Sequence, residues 1–288
     1  MDNETFVTMP SKSKNLRVEL PQGSCDAHCH VFGPIDRFPY SVSRTFTPAH
    51  EAPKESVFEL HKMIGIDRGV VVQSGCYGTD HSVLIDLLVA GEGKYKGVAL
   101  SSAETTREDI ARLNSFGVCG MRVSFLPHLG PNPSEEYVRA LEKLIKPYGW
   151  HLSFHVAGDG ILNVARLIRS LTVPVVIDHM GRIDISKGVD IEPVQCLLDL
   201  MVEGVWVKLS GSDRLSTDES YRDGAGLAHL LANHDPNRVV WGTDYPHPNI
   251  VGSVPDDVRL VNLIGSIAPS DIGRKKLLID NPSVLFGW

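Results

Sequence analysis

Residues 173–179 read Val-Pro-Val-Val-Ile-Asp-His, a short apolar run that ends in two polar side chains. Residues 69–73 form a second run of this kind, Gly-Val-Val-Val-Gln. A strand with one solvated face would alternate apolar and polar residues, and neither run does. Near-continuous runs of β-branched residues are typical of parallel strands that are buried on both faces. These two segments therefore predict strands of a buried parallel sheet.

Outward from these two runs, the chain contains eight strand candidates in all. They are Ser24–Phe32, Gly69–Ser74, Lys96–Leu100, Val118–Phe125, Trp150–Val156, Val173–Met180, Val205–Ser210 and Arg238–Thr243. Open doubly wound sheets usually stop at about five to seven strands, while a closed (β/α)8 barrel needs eight strands and typically ~250 residues. The chain has 288 residues. The strand count and the length therefore predict the α/β class, as a single (β/α)8 TIM barrel.

Helical patterns fill the segments between the strand candidates. Three of these segments carry an apolar stripe at helical spacing. The stripes lie in residues 137–145, 162–171 and 194–201. A capping box predicts the start of another helix, formed either by Thr105 and Glu108 or by Thr106 and Asp109.

The domain organisation follows from the same pattern. Residues 1–20 are a polar N-terminal arm, and residues 21–288 are the predicted barrel, with no composition break that would divide it. The segment Gly33–Pro53 has no periodicity and contains four prolines, so it is predicted as a long loop after strand 1. Such a loop would cover the C-terminal mouth of the barrel, where enzymes of this fold keep their active sites.

Composition excludes several classes of protein. With 28 Lys+Arg against 35 Asp+Glu, the net charge of −7 disfavours a nucleic-acid-binding surface. No apolar run is long enough to span a membrane, and the polar N-terminus lacks a secretory signal. Five scattered cysteines without a CxxC pair favour a reducing compartment, so we expect a cytoplasmic protein. A homo-oligomer is possible.

The first strand candidate contains the strongest chemical signal, Asp26-Ala27-His28-Cys29-His30. Residues i and i+2 of a strand share a face, so His28 and His30 point the same way. Two imidazoles on one face at a barrel strand end can ligate a divalent metal. A lone HxH is a weak motif, and Cys25 and Cys29 are better explained as small buried residues than as ligands.

Other strand ends strengthen this signal. His155 ends strand 5, His179 ends strand 6 and Asp244 ends strand 8, and these side chains converge only if the barrel closes. Carboxylate and imidazole are the ligand types that Zn²⁺ accepts in sites that keep an open position for water. We therefore predict one divalent metal, Zn²⁺ with Mn²⁺ as the alternative, held by His28, His30, His155 and Asp244.

Several segments resemble the amidohydrolase superfamily. They are DAHCHVFGP (residues 26–34), QSGCYGTD (73–80), VIDHMGR (176–182), GSDRL (211–215) and WGTDYPHPN (241–249). Within the superfamily, the chain is most similar to the branch of small lactone hydrolases and decarboxylases, which includes the 2-pyrone-4,6-dicarboxylate lactonases and the 4-sulfomuconolactone hydrolases. The likeness runs from about Pro21 to Trp288.

The resemblance implies a role for each matching residue. It places His28 and His30 in the metal pocket, makes Asp244 the base that activates water, and lets His179 polarise the lactone carbonyl or assist proton transfer. It also implies that Arg122 and Arg214 bind anionic groups of the substrate.

The residues themselves support the anion-binding role. Arg122 ends strand 4 and Arg214 follows strand 7, and a guanidinium suits bidentate recognition of a carboxylate or sulfonate. Ser74 ends strand 2, and Tyr77 lies in the turn after it, whose backbone N–H groups could meet an anion. Thr79 or Asp80 as the N-cap of the next helix explains this turn equally well. Ser74 and Tyr77 complete the predicted substrate contacts together with His128 and Phe46.

Three positions depart from the resemblance. His155 stands where the pyrone-dicarboxylate lactonases, which are understood to work without metal, have a tyrosine. They have an arginine near His128 and a tyrosine near Phe46. These differences favour a metal and a different lactone.

The sequence thus predicts a hydrolase that opens a small anionic lactone, of the muconolactone or pyrone type, from aromatic-compound breakdown. Two alternatives stay open: a metal-dependent decarboxylase on the same scaffold, and a non-catalytic small-molecule binding protein. The absence of GxSxG, GxGxxG and P-loop motifs disfavours a serine esterase, a dinucleotide enzyme and a kinase.

Overall fold

All eight predicted strands form, and they pair in the order in which they follow one another in the chain. The structure, a computed structural model, describes residues 15–250 and 254–288. Neighbouring strands are parallel throughout. The strands are β1 (Cys25–Cys29), β2 (Arg68–Val72), β3 (Tyr95–Ala99), β4 (Val118–Ser124), β5 (His151–His155), β6 (Val175–Ile177), β7 (Trp206–Lys208) and β8 (Val239–Val240).

Helical segments connect the strands on the outside of the sheet. The helices are α1 (Lys54–Ile64), α2 (Ser82–Ala90), α3 (Arg107–Ser115), α4 (Glu135–Ile145), α5 (Gly160–Arg169), α6 (Glu192–Val202), α7 (Ser212–Leu215), α8 (Arg222–His234), α9 (Asp257–Ile267), α10 (Asp271–Lys275) and α11 (Asn281–Phe286). The three predicted stripes lie in α4, α5 and α6. The capping box of α3 is the Thr106–Asp109 pair. No helix among the described residues has the length and apolar character needed to cross a membrane.

The sheet closes between the last strand and the first. The Ala27 N–H donates to the Trp241 carbonyl, and the Asp244 N–H donates to the His28 carbonyl, each at 2.8 Å. Gly242 permits this approach, because a Cβ atom there would lie 2.6 Å from the backbone nitrogen of His28. The (β/α)8 barrel is therefore confirmed.

Apolar side chains form two layers. A small inner cluster fills the barrel and is closed at the bottom by Leu285 and Phe286 of α11. A much larger outer cluster lies between the strands and the surrounding helices. Strands buried between these two layers have apolar side chains on both faces, which is why their sequences do not alternate.

The first strand contains a β-bulge between Asp26 and Cys29, where its register against β2 shifts. Before the bulge, Cys25 and Ala27 contribute to the inner cluster, whereas Cys29 belongs to the outer one. The bulge therefore turns His28 and His30 toward the inside of the barrel at its mouth, a known use of bulges next to active sites.

The strands are shorter than the sequence predicts, above all at their C-terminal ends. The candidate Val173–Met180 becomes Val175–Ile177, because His179 and Met180 adopt left-handed backbone conformations, both with φ of 53°. Beyond the last hydrogen bond to a neighbouring strand, the chain turns over the barrel mouth and is no longer in β conformation. Three of the residues beyond the strand ends, His30, His179 and Asp244, carry polar side chains of the site.

The predicted long loop joins β1 to α1 and is confirmed. Phe32 and Ala52 pair in an antiparallel bridge at its base, and the Gly33 N–H donates to the Tyr77 hydroxyl at 2.7 Å. Residues 1–14 of the predicted arm lie outside the described residues, so the division at residue 20 stays a prediction. Arg17, in the described part, donates its N–H to Asn262 Oδ1 at 2.7 Å.

Candidate active site

A cavity of about 340 Å³ opens at the C-terminal ends of the strands, beneath the long loop. Most of the predicted site residues line it: Phe46, Ser74, Arg122, His128, His155, His179, Arg214, Asp244 and His30. Among the described residues, its charged lining side chains are three arginines and one aspartate. The cavity is therefore a positively charged site in a protein of net charge −7.

Asp244 lies at the centre of the site. Its Oδ1 faces three imidazoles, at 3.3 Å from His30 Nε2, 3.6 Å from His28 Nε2 and 3.9 Å from His179 Nε2. Its Oδ2 accepts from Arg214, at 2.7 Å from Nε and 2.6 Å from the second guanidinium nitrogen. One carboxylate oxygen is thus fixed by an arginine while the other faces the histidines.

The charge state of Asp244 follows from these contacts. Burial by itself would raise its pKa, but the Arg214 guanidinium and the surrounding histidines hold the pKa well below the usual range. The carboxylate is therefore ionised at neutral pH. Its backbone is left-handed, with φ of 65°, which lets the chain turn at the end of β8 and direct the side chain into the cavity.

The two histidines of the HxH motif differ in their second ring nitrogen. His30 Nδ1 lies 2.7 Å from the Val72 carbonyl, which fixes the proton there and directs the Nε2 lone pair to the site. His28 Nδ1 lies 3.3 Å from Lys208 Nζ and 3.6 Å from Asp178 Oδ1. Burial, with help from the Lys208 charge, lowers the pKa of His28 to about 3. His28 is therefore neutral.

His179 reaches the site from the left-handed segment that follows β6. Its Nδ1 lies 2.8 Å from the Ser210 hydroxyl, which can either donate or accept. Burial lowers the pKa of His179 well below its ordinary value, so the ring is neutral. Gly211 makes room for it, because a Cβ atom there would lie 3.3 Å from that of His179.

A buried ion cluster supports the site from below. The Asp178 carboxylate accepts from Arg122 Nε at 2.8 Å and pairs with Lys208 Nζ at 3.2 Å. Asp178 and Lys208 are both fully buried. Burial alone would raise the pKa of Asp178, but Lys208 and Arg122 hold it well below its usual range. The pairing keeps Arg122 at the cavity wall.

The donor atoms fit a divalent metal in type and protonation state. His28, His179 and Asp244 each offer a ligand atom, all within 4.8 Å of one another, and His30 Nε2 is next to this group. Two neutral imidazoles and an ionised carboxylate are the donor set of catalytic zinc sites. A ligand at His28 Nε2 needs the proton on Nδ1; the acceptor nearest to Nδ1 is Asp178 Oδ1, at 3.6 Å, while Lys208 Nζ at 3.3 Å can only donate.

A second group of possible ligands, Asp26, Cys29 and His61, has a structural explanation. Asp26 accepts from the backbone N–H groups of His28 and Thr243 at 2.9 and 3.1 Å. It also contacts the Thr243 hydroxyl at 2.5 Å and His61 Nε2 at 3.2 Å. Burial raises the pKa of the Cys29 thiol, which stays protonated. Because hydrogen bonds occupy both Asp26 oxygens, this group connects β1 to the end of β8.

His155 is the predicted ligand that the structure does not bring to the metal group. It lies at the end of β5, and its ring centroid is 5.6 Å from that of His179. Neither ring nitrogen has a hydrogen-bond partner among the described residues. Burial lowers its pKa well below the ordinary value, so the imidazole is neutral.

The predicted substrate contacts differ in their placement. Ser74 and Phe46 line the cavity, and His128 lines its exposed rim. Tyr77 is buried, and its hydroxyl accepts from Gly33 instead of lining the cavity, so it fixes the start of the long loop. Arg214 lines the cavity but also contacts Asp244 and the Pro248 carbonyl.

Sequence reasoning missed three residues of the site. Arg182 lines the cavity, and Asp178 and Lys208 form the ion cluster beneath it. Signals for two of them were present: Asp178 precedes His179 at a strand end, and Lys208 interrupts the apolar run of a strand predicted to be buried. Arg182 had no such signal, because it lies beyond the predicted end of the strand.

This fold and this site, an HxH pair on the first strand with histidine and aspartate at later strand ends, define a (β/α)8 enzyme of the amidohydrolase type. The Amidohydrolase family model matches residues 25–288. The chain belongs to this family.

Three of its relatives are named as hydrolases of lactones. The chain is 39% identical to the 4-sulfomuconolactone hydrolase of Hydrogenophaga intermedia, over 94% of this chain and 91% of that protein. It is 37% identical to the 2-pyrone-4,6-dicarboxylate hydrolase of Comamonas testosteroni, over 96% and 93% of the two chains. An apo crystal structure of Agrobacterium tumefaciens ATU3138 superposes with a TM-score of 0.83 at 27% identity, over 93% and 97%.

Proposed function

We propose that this chain hydrolyses a small anionic lactone of the muconolactone or pyrone type. The observation that carries the proposal is an ionised, buried carboxylate, Asp244, that faces three imidazoles in a cavity with three arginines. Acyl hydrolysis needs a base for water and a donor for the carbonyl oxygen. The names of the relatives support the lactone as the substrate class.

Asp244 is proposed as the base. Its Oδ1 faces the open side of the site, and its Oδ2 is held by Arg214, so the accepting oxygen has a fixed direction. The proton of the attacking water moves to Oδ1, and the neutral imidazoles next to it can pass the proton on to the leaving alkoxide.

His179 is proposed to polarise the lactone carbonyl. When the Ser210 hydroxyl donates to Nδ1, the proton of the neutral ring lies on Nε2, and that N–H donates to the carbonyl oxygen. A donor that is already oriented before the reaction stabilises the developing oxyanion at little reorganisation cost.

We also propose one divalent metal, Zn²⁺ or Mn²⁺. His28, His30, His179 and Asp244 would hold it, His179 then with its proton on Nδ1, and when bound it would replace the His179 N–H as the group that polarises the carbonyl, or lower the pKa of water. One carboxylate cannot be both a tight metal ligand and the free base, so the base role of Asp244 applies to the enzyme without metal. Elemental analysis of protein purified without added ions tests this, together with calorimetric titration of the chelator-treated protein with Zn²⁺. Less than about a tenth of an equivalent and no heat of binding would exclude the metal.

The preferred lactone is inferred from the positions at which this chain differs from the pyrone-dicarboxylate lactonases. The resemblance implies a tyrosine near the position of Phe46 and an arginine near that of His128 in the pyrone-dicarboxylate lactonases. With Phe46 and His128 in this chain, the pyrone dicarboxylate would lose two polar partners, and an anion without partners is costly to desolvate. We propose that another lactone, with a sulfonate or a differently placed carboxylate held near Arg122 and Arg214, is preferred. We also propose a cytoplasmic location, which the five free cysteines support. The expectations about oligomeric state, nucleic acid and membrane stay predictions.

The test is product analysis with two lactones, 4-sulfomuconolactone and 2-pyrone-4,6-dicarboxylate. The proposal expects the ring-opened acid and no released CO2, with the higher kcat/KM for the sulfonated lactone. Release of CO2 would identify a decarboxylase, and saturable binding without turnover of either lactone would identify a binding protein. A higher kcat/KM for the pyrone would contradict only the proposed preference.

A further inference from the structure

Two polar side chains that line the cavity have no hydrogen-bond or ion-pair partner among the described residues. Both ring nitrogens of His155 lack a hydrogen-bond partner among the described residues, although only 6% of the residue is exposed. Arg182 lines the same cavity. Among the described residues, its guanidinium has no side-chain hydrogen bond and no ion pair, unlike those of Arg122 and Arg214.

The other two cavity arginines are already engaged. Arg122 pairs with Asp178 at 2.8 Å, and Arg214 pairs with Asp244 at 2.6 Å. Asp178 is shared with Lys208, but each of these two guanidinium groups is in direct contact with a carboxylate. Arg182 is the cavity arginine that has no carboxylate in contact among the described residues. A largely buried guanidinium without a counter-charge is costly unless a ligand supplies that charge.

Arg182 follows His179, the proposed carbonyl donor, by three residues in the segment after β6, and both line the cavity. The segment from His179 to Arg182 has positive φ at every residue, from 45° to 68°. The backbone carbonyl of Arg182 accepts a hydrogen bond from the Gly158 N–H at 3.1 Å. His155 lies on the neighbouring strand end, with its ring centroid 5.6 Å from that of His179. Arg182 and His155 thus belong to the β5–β6 side of the cavity, next to the proposed carbonyl donor.

We infer that Arg182 and His155 complete, beside Arg122 and Arg214, the subsite for an anionic substituent of the substrate, a carboxylate or a sulfonate. This inference rests on the proposed function and specifies it. Arg182 offers two N–H groups in a plane, and the neutral imidazole of His155 offers one more. Together they give three directed donors, which match the oxygens of such an anion. The position of His155 outside the metal group is consistent with a role toward substrate.

The test compares charged with neutral substrates in matched variants. The variants are Arg182→Met, Arg182→Lys, His155→Phe and His155→Gln, with Arg166→Met, an exposed arginine of α5, as the control for the loss of one charge. The lactones are 4-sulfomuconolactone, 2-pyrone-4,6-dicarboxylate and the uncharged α-angelica lactone. Elemental analysis of His155→Gln follows in parallel.

The expected result is a loss of selectivity for charge. Arg182→Met should raise KM for the preferred anionic lactone by about 10- to 100-fold, because charged hydrogen bonds are lost. It should leave kcat/KM for the neutral lactone within about threefold, and Arg182→Lys should recover part of the loss. His155→Phe should raise the same KM by about fivefold to tenfold, and His155→Gln, which keeps an N–H donor, should restore most of it without a change in metal content.

Binding of citrate, a non-hydrolysable polycarboxylate, separates this inference from the proposed function. Calorimetry should show weaker citrate binding to Arg182→Met than to wild type or Arg166→Met. Equal losses for charged and neutral lactones, or unchanged citrate affinity, would overturn the inference while lactone hydrolysis by the wild type stands. No hydrolysis of any lactone, with citrate binding that depends on Arg182, would remove the proposed function and keep the anion subsite.

Discussion

Asp244 is the residue on which the proposed chemistry depends most directly. Asp244→Asn keeps the size of the side chain and a contact with Arg214, but an amide cannot accept the proton of the attacking water. We expect kcat to fall by about 10²- to 10⁴-fold while the far-UV circular dichroism spectrum stays that of the wild type. Asp190→Asn, at an exposed aspartate, is the control. An Asp244→Asn enzyme with more than about a tenth of the wild-type kcat would exclude Asp244 as the base.

A substitution of Lys208 tests how much the buried ion cluster contributes to stability. Lys208 is fully buried and pairs with Asp178 at 3.2 Å. Lys208→Met removes one partner and leaves a carboxylate that only Arg122 compensates, which should lower the free energy of unfolding by about 3–5 kcal/mol. Urea unfolding at pH 7 measures this change, with the exposed Lys187→Met as the control. A loss below about 1 kcal/mol would show that Lys208 contributes little through this pair.

The sequence predicts individual site residues well where a polar side chain ends an apolar strand. His28, His30, His179 and Asp244 were found in this way, and the structure brings them together. The same argument placed His155 correctly at a strand end, but it could not tell which direction the side chain takes inside a closed barrel. Arg182 was missed because its position depends on the left-handed backbone after β6, which has no signal in composition or periodicity.

At the scale of elements, Asp26 holds the first strand against the last. Asp26→Ala would leave the buried N–H groups of His28 and Thr243 without an acceptor, at about 1–3 kcal/mol each. We expect Asp26→Ala to lower the free energy of unfolding by about 2–6 kcal/mol, and Asp26→Asn, which keeps one acceptor oxygen, to lose much less. Urea unfolding of the two variants measures the difference. Equal stabilities would show that the carboxylate does not hold the two strands together.

The sequence predicts the positions of all eight strands correctly, but it does not predict the residues at which they end. An apolar run shows that a strand is buried, but the ladder ends where the chain turns over the mouth, and that depends on contacts with other strands. The bulge in β1 was likewise invisible, since it arises from pairing with β2. Pattern arguments are therefore weakest at the C-terminal strand ends, and in a barrel those ends carry the site.

In the whole molecule, the sign of the charge differs between the chain as a whole, which is acidic, and the lining of the cavity, which is basic. The whole chain has a net charge of −7, while the cavity lining, among the described residues, has three arginines and one aspartate. A local positive field in an acidic protein attracts a small anion without general affinity for polyanions. Burial of the cavity strengthens the field of its arginines, and burial also keeps water away from the histidines. Burial is therefore the common cause of anion binding in the cavity and of the loss of stability at low pH.

The buried histidines predict how stability depends on pH. Burial lowers the pKa of His28 and of His151, which lies at the start of β5, to about 3 in each case. In the unfolded chain a histidine titrates near 6.5. Between these two values the unfolded state binds a proton that the folded state does not, so stability falls as the pH drops through this window. Each histidine should cost about 2 kcal/mol between pH 7 and pH 5.

His151 isolates this effect from catalysis, because it packs against Phe286 at the closed end of the barrel, with ring centroids 5.4 Å apart. Both of its ring nitrogens lack a partner among the described residues, so His151→Leu removes no hydrogen bond. We expect His151→Leu to reduce the loss of unfolding free energy between pH 7 and pH 5 by about 2 kcal/mol relative to wild type. Urea unfolding at pH 7, 6 and 5 measures it, with His234→Leu, at an exposed histidine of α8, as the control. If His151→Leu and wild type lose stability in parallel, His151 is already protonated in the folded state, and the acid sensitivity has another source.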